Sequence, residues 1–268
     1  MPSPDSKGQR ADANPSAWQG AKTMTAAKVA LVTGGARRVG AAIAGELHAA
    51  GFTLAVHCNR SLADADALVA RLNELRSDSA FALQADLLEA GACERLAQET
   101  LAQAGRIDCL VNNASTFYPT AVGEITEGDW QSLVGSNLKA PVFLSQALAP
   151  ALRESCGAIV NMVDIHARIP LRGYPVYSAA KAGLAALTLS LAGELAPEVR
   201  VNGIAPGMVM WAEPPPPEHI KKAILARTPL GRAGAPEDVA RLVRFVVCDA
   251  PFVTGQIIAV DGGRSLGW

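Results

Sequence analysis

From residue 28 onward the chain alternates between two rhythms: short, nearly unbroken apolar runs, and longer stretches in which apolar side chains return every three or four positions. The first is the signature of strands buried on both faces of a parallel sheet, the second that of helices laid against it. The runs Lys28–Gly34, Phe52–His57, Phe81–Gln84, Ile107–Val111, Gly157–Val163, Arg200–Ala205 and Gln256–Val260 are therefore predicted strands. Helices are expected over 41–51, 61–76, 90–104, 129–153, 174–195 and 236–248. Strands alternating with helices predict a single α/β domain over 28–268. Two stretches break the rhythm. Residues 1–27 are rich in Pro, Ser, Gly, Ala and Asp without hydrophobic period or signal-peptide core, and are expected to be a disordered extension; Met24, just before the first strand, is a candidate true start. Residues 208–228 hold a proline run followed by a short helix-like piece, which reads either as a substrate lid or as a plain surface loop.

Half of the 268 residues are hydrophobic, which is ample for one large core. A net charge of −1 and a pI near 6.4 leave no basic field for nucleic acid or an anionic membrane surface. The cysteines, Cys58, Cys93, Cys109, Cys156 and Cys248, are scattered without a CxxC pair, and His48, His57, His166 and His219 show no ligand spacing. This predicts neither a disulfide framework nor a metal site, and fits a reducing cytoplasm. No apolar run is read as long enough to cross a bilayer.

Candidate chemistry gathers where strands end. Tyr177 and Lys181 stand four residues apart on one helical face, so a lysine ammonium beneath a phenol would help Tyr177 donate and recover a proton near neutrality. The first strand runs into GARRVG and a helix of small residues: Gly34 permits a sharp exit, Gly40 a close backbone approach, and the helix start offers N–H groups to a pyrophosphate. A tight strand–helix turn without a ligand has the same look, and the spacing does not match GxGxxG. The second strand ends in CNRS with no acid for a ribose 2′-hydroxyl; Asn59, Arg60 and Ser61, with Arg37 from the first turn, instead suit a 2′-phosphate, which points to NADPH. Asp86 either accepts from an adenine amine or caps the next helix. The fourth strand ends in NNASTFYPT, whose Phe117 either stacks a flat substrate ring or plugs the core. Asn137, in the apolar middle of the long helix, either bends the ladder or holds a water.

Taken together, TGGARRVG, NNAS, Asn137, YSAAK, RVNGIAPG, PLGRAGAPEDVA and VTGQIIAVDGG resemble the short-chain dehydrogenase/reductase family over residues 28–268. The resemblance implies a doubly wound, seven-stranded parallel Rossmann sheet, catalysis by Asn137, Tyr177 and Lys181, and cofactor contacts that include Arg38, Val39, His57, Leu87, Asn113, Ala114, Ser115, Pro206, Gly207 and Met208. Two positions depart from the commonest pattern: Asp164, thirteen residues before the tyrosine, where Ser is usual, and Arg38, where the second glycine of the turn is usual. Both departures, with NNASTFYPT and DGGRSLGW, resemble the pteridine reductase branch. That branch implies that Phe117 stacks on a pterin, that Arg38 reaches phosphate and pterin, and that Ser115 touches cofactor and substrate; the wider family implies a tetramer that pairs helices 129–153 and 174–195. A carboxyl at 164 suits proton delivery to a ring nitrogen better than a serine does. The expected function is NADPH-dependent reduction of dihydropterins, extending to dihydrofolate. The rivals are a carbonyl reductase of the same family and a nucleotide-sensing protein without catalysis.

Overall fold

The computed structural model describes residues 27–211 and 214–267; the expected extension and the Met24 start fall almost wholly outside them. Seven parallel strands form one sheet in the order β3-β2-β1-β4-β5-β6-β7, with β1 Val29–Val32, β2 Thr53–Cys58, β3 Ala80–Gln84, β4 Cys109–Asn112, β5 Ala158–Met162, β6 Arg200–Pro206 and β7 Ile257–Val260. Alternation along β1 shows why the apolar runs are unbroken. Ala30 and Val32 face the layer made by α1 (Arg38–Ala49), α2 (Leu62–Leu75) and α8 (Pro236–Cys248), while Val29 and Leu31 face α3 (Ala92–Ala104), α5 (Ala140–Glu154) and α6 (Pro175–Glu194). Both faces are dry, so polar alternation has no place. The strand order reverses between β1 and β4, where crossovers leave in opposite directions and a crevice opens at the carboxyl ends.

The expected helix over 129–153 is broken in three. A capping box joins Thr126 to Asp129 and starts α4 (Glu127–Val134), a π-turn occupies Gly135–Lys139, and α5 follows. Asn137 sits in that π-turn, and its Nδ2 donates to Leu133 O at 2.9 Å, so the side chain replaces part of the helical ladder. The first helix starts three residues earlier than the apolar period suggests, at Arg38. Over 208–228 the chain forms α7 (Glu218–Ala226) after the prolines; residues 212 and 213 lie outside the described residues.

One expectation needs correction. Helix α6, with 20 residues and a mean hydropathy of 1.2, is long and apolar enough to cross a bilayer by length and composition. Its inner face is committed to protein, with Val176, Tyr177, Lys181, Leu184 and Thr188 buried, whereas Leu189 is 54% exposed on the outer face.

Candidate active site

The crevice is held open by bonds between β1 and β4. Thr33 Oγ1 donates to Val111 O at 3.3 Å and accepts from the N–H groups of Asn113 and Ala114 at 2.9 and 3.0 Å. Asn113 Nδ2 returns across the gap to Thr33 O and Gly34 O at 2.9 and 3.0 Å. Gly34 adopts φ +59°, and a Cβ at position 40 would stand 2.1 Å from Gly34 O and 2.7 Å from Asn113 Nδ2. Only glycine fits there, which leaves the start of α1 as a cradle of backbone groups for a phosphate. Arg38 begins α1 with φ +53°, left-handed backbone that costs a side-chain-bearing residue about 1–2 kcal/mol. Its guanidinium donates through Nη2 to Trp211 O at 3.2 Å, joining this turn to the segment before the prolines.

His57 has a different part from the cofactor contact expected of it. The ring is 2% exposed; Nδ1 accepts from Gly34 N–H and Nε2 donates to Ala85 O, both at 3.1 Å. Burial holds its pKa below the usual value, and an acceptor at Nδ1 requires the neutral ring. His57 therefore braces the turn from behind. Leu87 likewise packs its side chain into the core beside Leu83 and Leu96. Asp86 does not cap the next helix, whose N-cap is Gly91; its carboxylate accepts from Leu88 N–H at 3.0 Å and closes the turn after β3.

At the end of β2, Ser61 is the N-cap of α2, and its hydroxyl makes no capping bond. Arg37 and Arg38 line a cavity with Arg71 and Asp64, two residues the sequence reading missed. Asp64 lies 3.8 Å from Arg37, both more than half exposed, a pairing too weak to resist a dianionic phosphate. Asn59 and Arg60 are exposed, and Asn59 lines a separate cavity with Gln84 and Asp86.

The reactive groups stand across the crevice. Asp164, half-buried just beyond β5, accepts His166 N–H on Oδ1 at 2.8 Å and the Tyr177 hydroxyl on Oδ2 at 2.7 Å. One turn along α6, Lys181 is 3% exposed, donates to Met162 O at 2.7 Å, and lies 5.8 Å from the centre of the Tyr177 ring. The electrostatics correct the expectation of an eased phenol. Burial first, then the charge and hydrogen bond of Asp164, raise the Tyr177 pKa well above the ordinary phenol value. Burial also pushes Lys181 down to about 8, with Asp164 opposing. Asn137 is 1% exposed; its Oδ1 accepts from Ser115 Oγ at 2.6 Å and its Nδ2 donates to Thr116 O at 2.9 Å as well as to Leu133 O. The amide thus bonds to protein through both its oxygen and its nitrogen and orients Ser115.

Phe117 is 54% exposed and belongs to a group of rings: Tyr174 stacks on one face at 4.6 Å and 12°, and Tyr177 meets it edge-on at 4.8 Å and 77°. A cavity of about 680 Å³ brings together Arg38, Val39, Ser115, Phe117, Asp164, Tyr177, Pro206, Gly207 and Met208 with Tyr174, Trp211, Ile220, Ile224 and Arg264. These last five were missed. Tyr174 is signalled only by its place at the start of the Tyr177 helix, and Trp211 and the isoleucines by an apolar character unusual for a loop.

A pH dependence follows. The Lys181 ammonium is lost as pH rises through about 8, so turnover should fall on an alkaline limb near that pH. Asp164 is the charge that supports the ammonium, so Asp164→Asn should move the limb of the residual activity to lower pH. Profiles of kcat against pH for both proteins check this, and a limb that stays put or moves up refutes it.

Comparison with known proteins agrees with this geometry. The family model described as enoyl-(acyl carrier protein) reductase matches residues 34–265. Pteridine reductase 1 of Leishmania tarentolae is 39% identical, over 91% of this chain and 98% of that protein. A 3-oxoacyl-(acyl-carrier-protein) reductase of Synechocystis is 37% identical over 90% and 98%, and one of Staphylococcus aureus 35% over 90% and 99%. With its seven-stranded parallel sheet, glycine cradle and Tyr177–Lys181 pair, the chain belongs to the short-chain dehydrogenase/reductase family of oxidoreductases.

Proposed function

We propose that this protein is an NADPH-dependent reductase of pterins, taking 7,8-dihydropterins, and dihydrofolate with them, to the tetrahydro level. The observation that carries the reading is the 2.7 Å bond from the Tyr177 hydroxyl to Asp164 in a cavity flanked by aromatic rings. A ketone reductase develops negative charge on oxygen beside its tyrosine, and a carboxylate at that point opposes it. Reducing a ring C=N delivers a proton to nitrogen, and there the same carboxylate helps. The likeness to pteridine reductase 1 of Leishmania tarentolae supports the reading.

The glycine cradle at Gly34 and Gly40 fits a dinucleotide pyrophosphate, and Arg37, Arg38 and Arg71, which line one cavity, with the exposed Arg60 and the uncommitted Ser61 at the start of α2, suit a 2′-phosphate. When bound, the nicotinamide supplies the hydride. This chain's residues do the rest. Tyr177 and Asp164 hold the proton destined for the ring nitrogen, and Asp164, half-exposed, renews it from solvent. The Lys181 ammonium lies beneath them and offsets the negative charge left when the proton goes. Ser115, held by Asn137, and the open face of Phe117 orient the flat ring. The free cysteines are compatible with a cytoplasmic enzyme, and exposed Phe143 on α5 and Leu189 on α6 with a homotetramer that pairs those helices.

The test is turnover of dihydrobiopterin or dihydromonapterin with NADPH, by the parent and by Asp164→Ser. Pterin turnover in the parent that falls by about tenfold or more in the variant is expected, in line with the loss of a proton-delivering group. Normal NADPH binding without pterin turnover, and ketone reduction that survives Asp164→Ser, would make it a carbonyl reductase instead.

A further inference from the structure

Arg264 stands on the short turn Arg264–Leu266 that follows β7, half-buried, and lines the same cavity as Asp164 and Tyr177. Its Nη1 is shut off from solvent and has no hydrogen-bond partner among the described residues, nor does any of them pair with the rest of the fork, the part of this half-buried side chain that a ligand in the cavity can reach. The two acids whose charge it feels, Asp164 and Asp261, are already spent. Asp261 accepts Gly263 N–H on Oδ1 at 2.9 Å and Ser265 N–H on Oδ2 at 2.7 Å. Asp164 has one oxygen on His166 N–H and the other on the Tyr177 hydroxyl. Arg227, the C-cap of α7, adds a second cation whose charge repels that of Arg264.

A guanidinium held in a partly dry cleft with no carboxylate bonded to it is costly, and it is retained where something else brings the acceptor. Its planar fork matches the two oxygens of a carboxylate, whereas the edge of a neutral side chain offers single acceptors. We propose that Arg264 is a specificity-determining residue that takes a carboxylate on the substrate's side chain, so that the cleft prefers pterins with an anionic tail over neutral ones. This rests on the pterin reading above. Nothing in the catalytic pair requires it: the ring lies at Asp164, Tyr177 and Phe117, and the tail runs toward the turn after β7.

The test compares dihydrofolate, which carries carboxylates, with neutral dihydrobiopterin, using the full chain loaded with NADP. Binding is read from quenching of tryptophan fluorescence, since Trp211 lines the cavity, and turnover is read separately. Arg264→Met should weaken dihydrofolate binding by about tenfold or more, the scale of one charge-assisted pair, and leave dihydrobiopterin nearly unchanged; Arg264→Lys should recover part of the loss. Equal weakening of both ligands, which a purely structural role would give, overturns the proposal. So does a parent that binds the two equally or binds neither. A parent that prefers dihydrofolate, loses the preference in the variant, and reduces neither compound would refute pterin reduction and leave the Arg264 assignment standing.

Discussion

Tyr177→Phe is expected to lower kcat by about 10²–10⁴-fold, the range supplied by a positioned general acid, with NADPH affinity essentially unchanged. The phenol is 4% exposed and its hydroxyl has a single hydrogen-bond partner among the described residues, Asp164 at 2.7 Å. The substitution removes the proton and keeps the ring, so the edge contact with Phe117 and the packing on Leu133 and Val176 survive. Half-exposed Asp164 regains a partner from solvent, which limits the loss of stability to about 1 kcal/mol. Steady-state kinetics with thermal melting separates the two effects. A fall of less than tenfold in a folded variant would mean that Asp164 alone delivers the proton.

Gly40→Ala should abolish cofactor binding while sparing most of the fold. The new Cβ would lie 2.1 Å from Gly34 O and 2.7 Å from Asn113 Nδ2, and the first of these is backbone that cannot swing aside. Overpacking of this kind costs about 1–3 kcal/mol, and relief by moving α1 away from β1 dismantles the phosphate cradle. Gly45→Ala on the same helix is the control: nothing lies within 4 Å of its added Cβ, so it should stabilise by about 0.4–1 kcal/mol and leave binding intact. Titration with NADPH and thermal melting of both variants decides; equal behaviour of the two would remove the cradle argument.

The sheet was legible because strands buried on both sides leave an unmistakable trace, seen in β1, β4 and β5, where every residue is buried. The strand-end residues were legible for a related reason: a parallel sheet delivers them all to one edge. What the sequence hid is long-range. The family resemblance made His57 a cofactor contact, yet its two nitrogens are claimed by Gly34 and Ala85, partners set by the β1 turn and the end of β3. The spacing of Tyr177 and Lys181 suggested an eased phenol, but spacing carries no information on burial, and burial with Asp164 drives the phenol the other way. Asn137 was read as a bend or a water ligand; the π-turn turns its amide toward Ser115 and Thr116. Arg264 was not singled out, because nothing in the glycine-rich sequence around it signals that it reaches the cavity of Asp164 and Tyr177.

The Thr33–Asn113 latch between β1 and β4 bears on how tightly a dinucleotide can be held. Both strand ends are fixed by the protein's own bonds, so the entropy of shaping the crevice is lost during folding and not on each encounter. Affinity at this edge is therefore set by contact and charge, with little conformational penalty subtracted, and loosening the latch would weaken the complex without touching a single atom that meets the ligand.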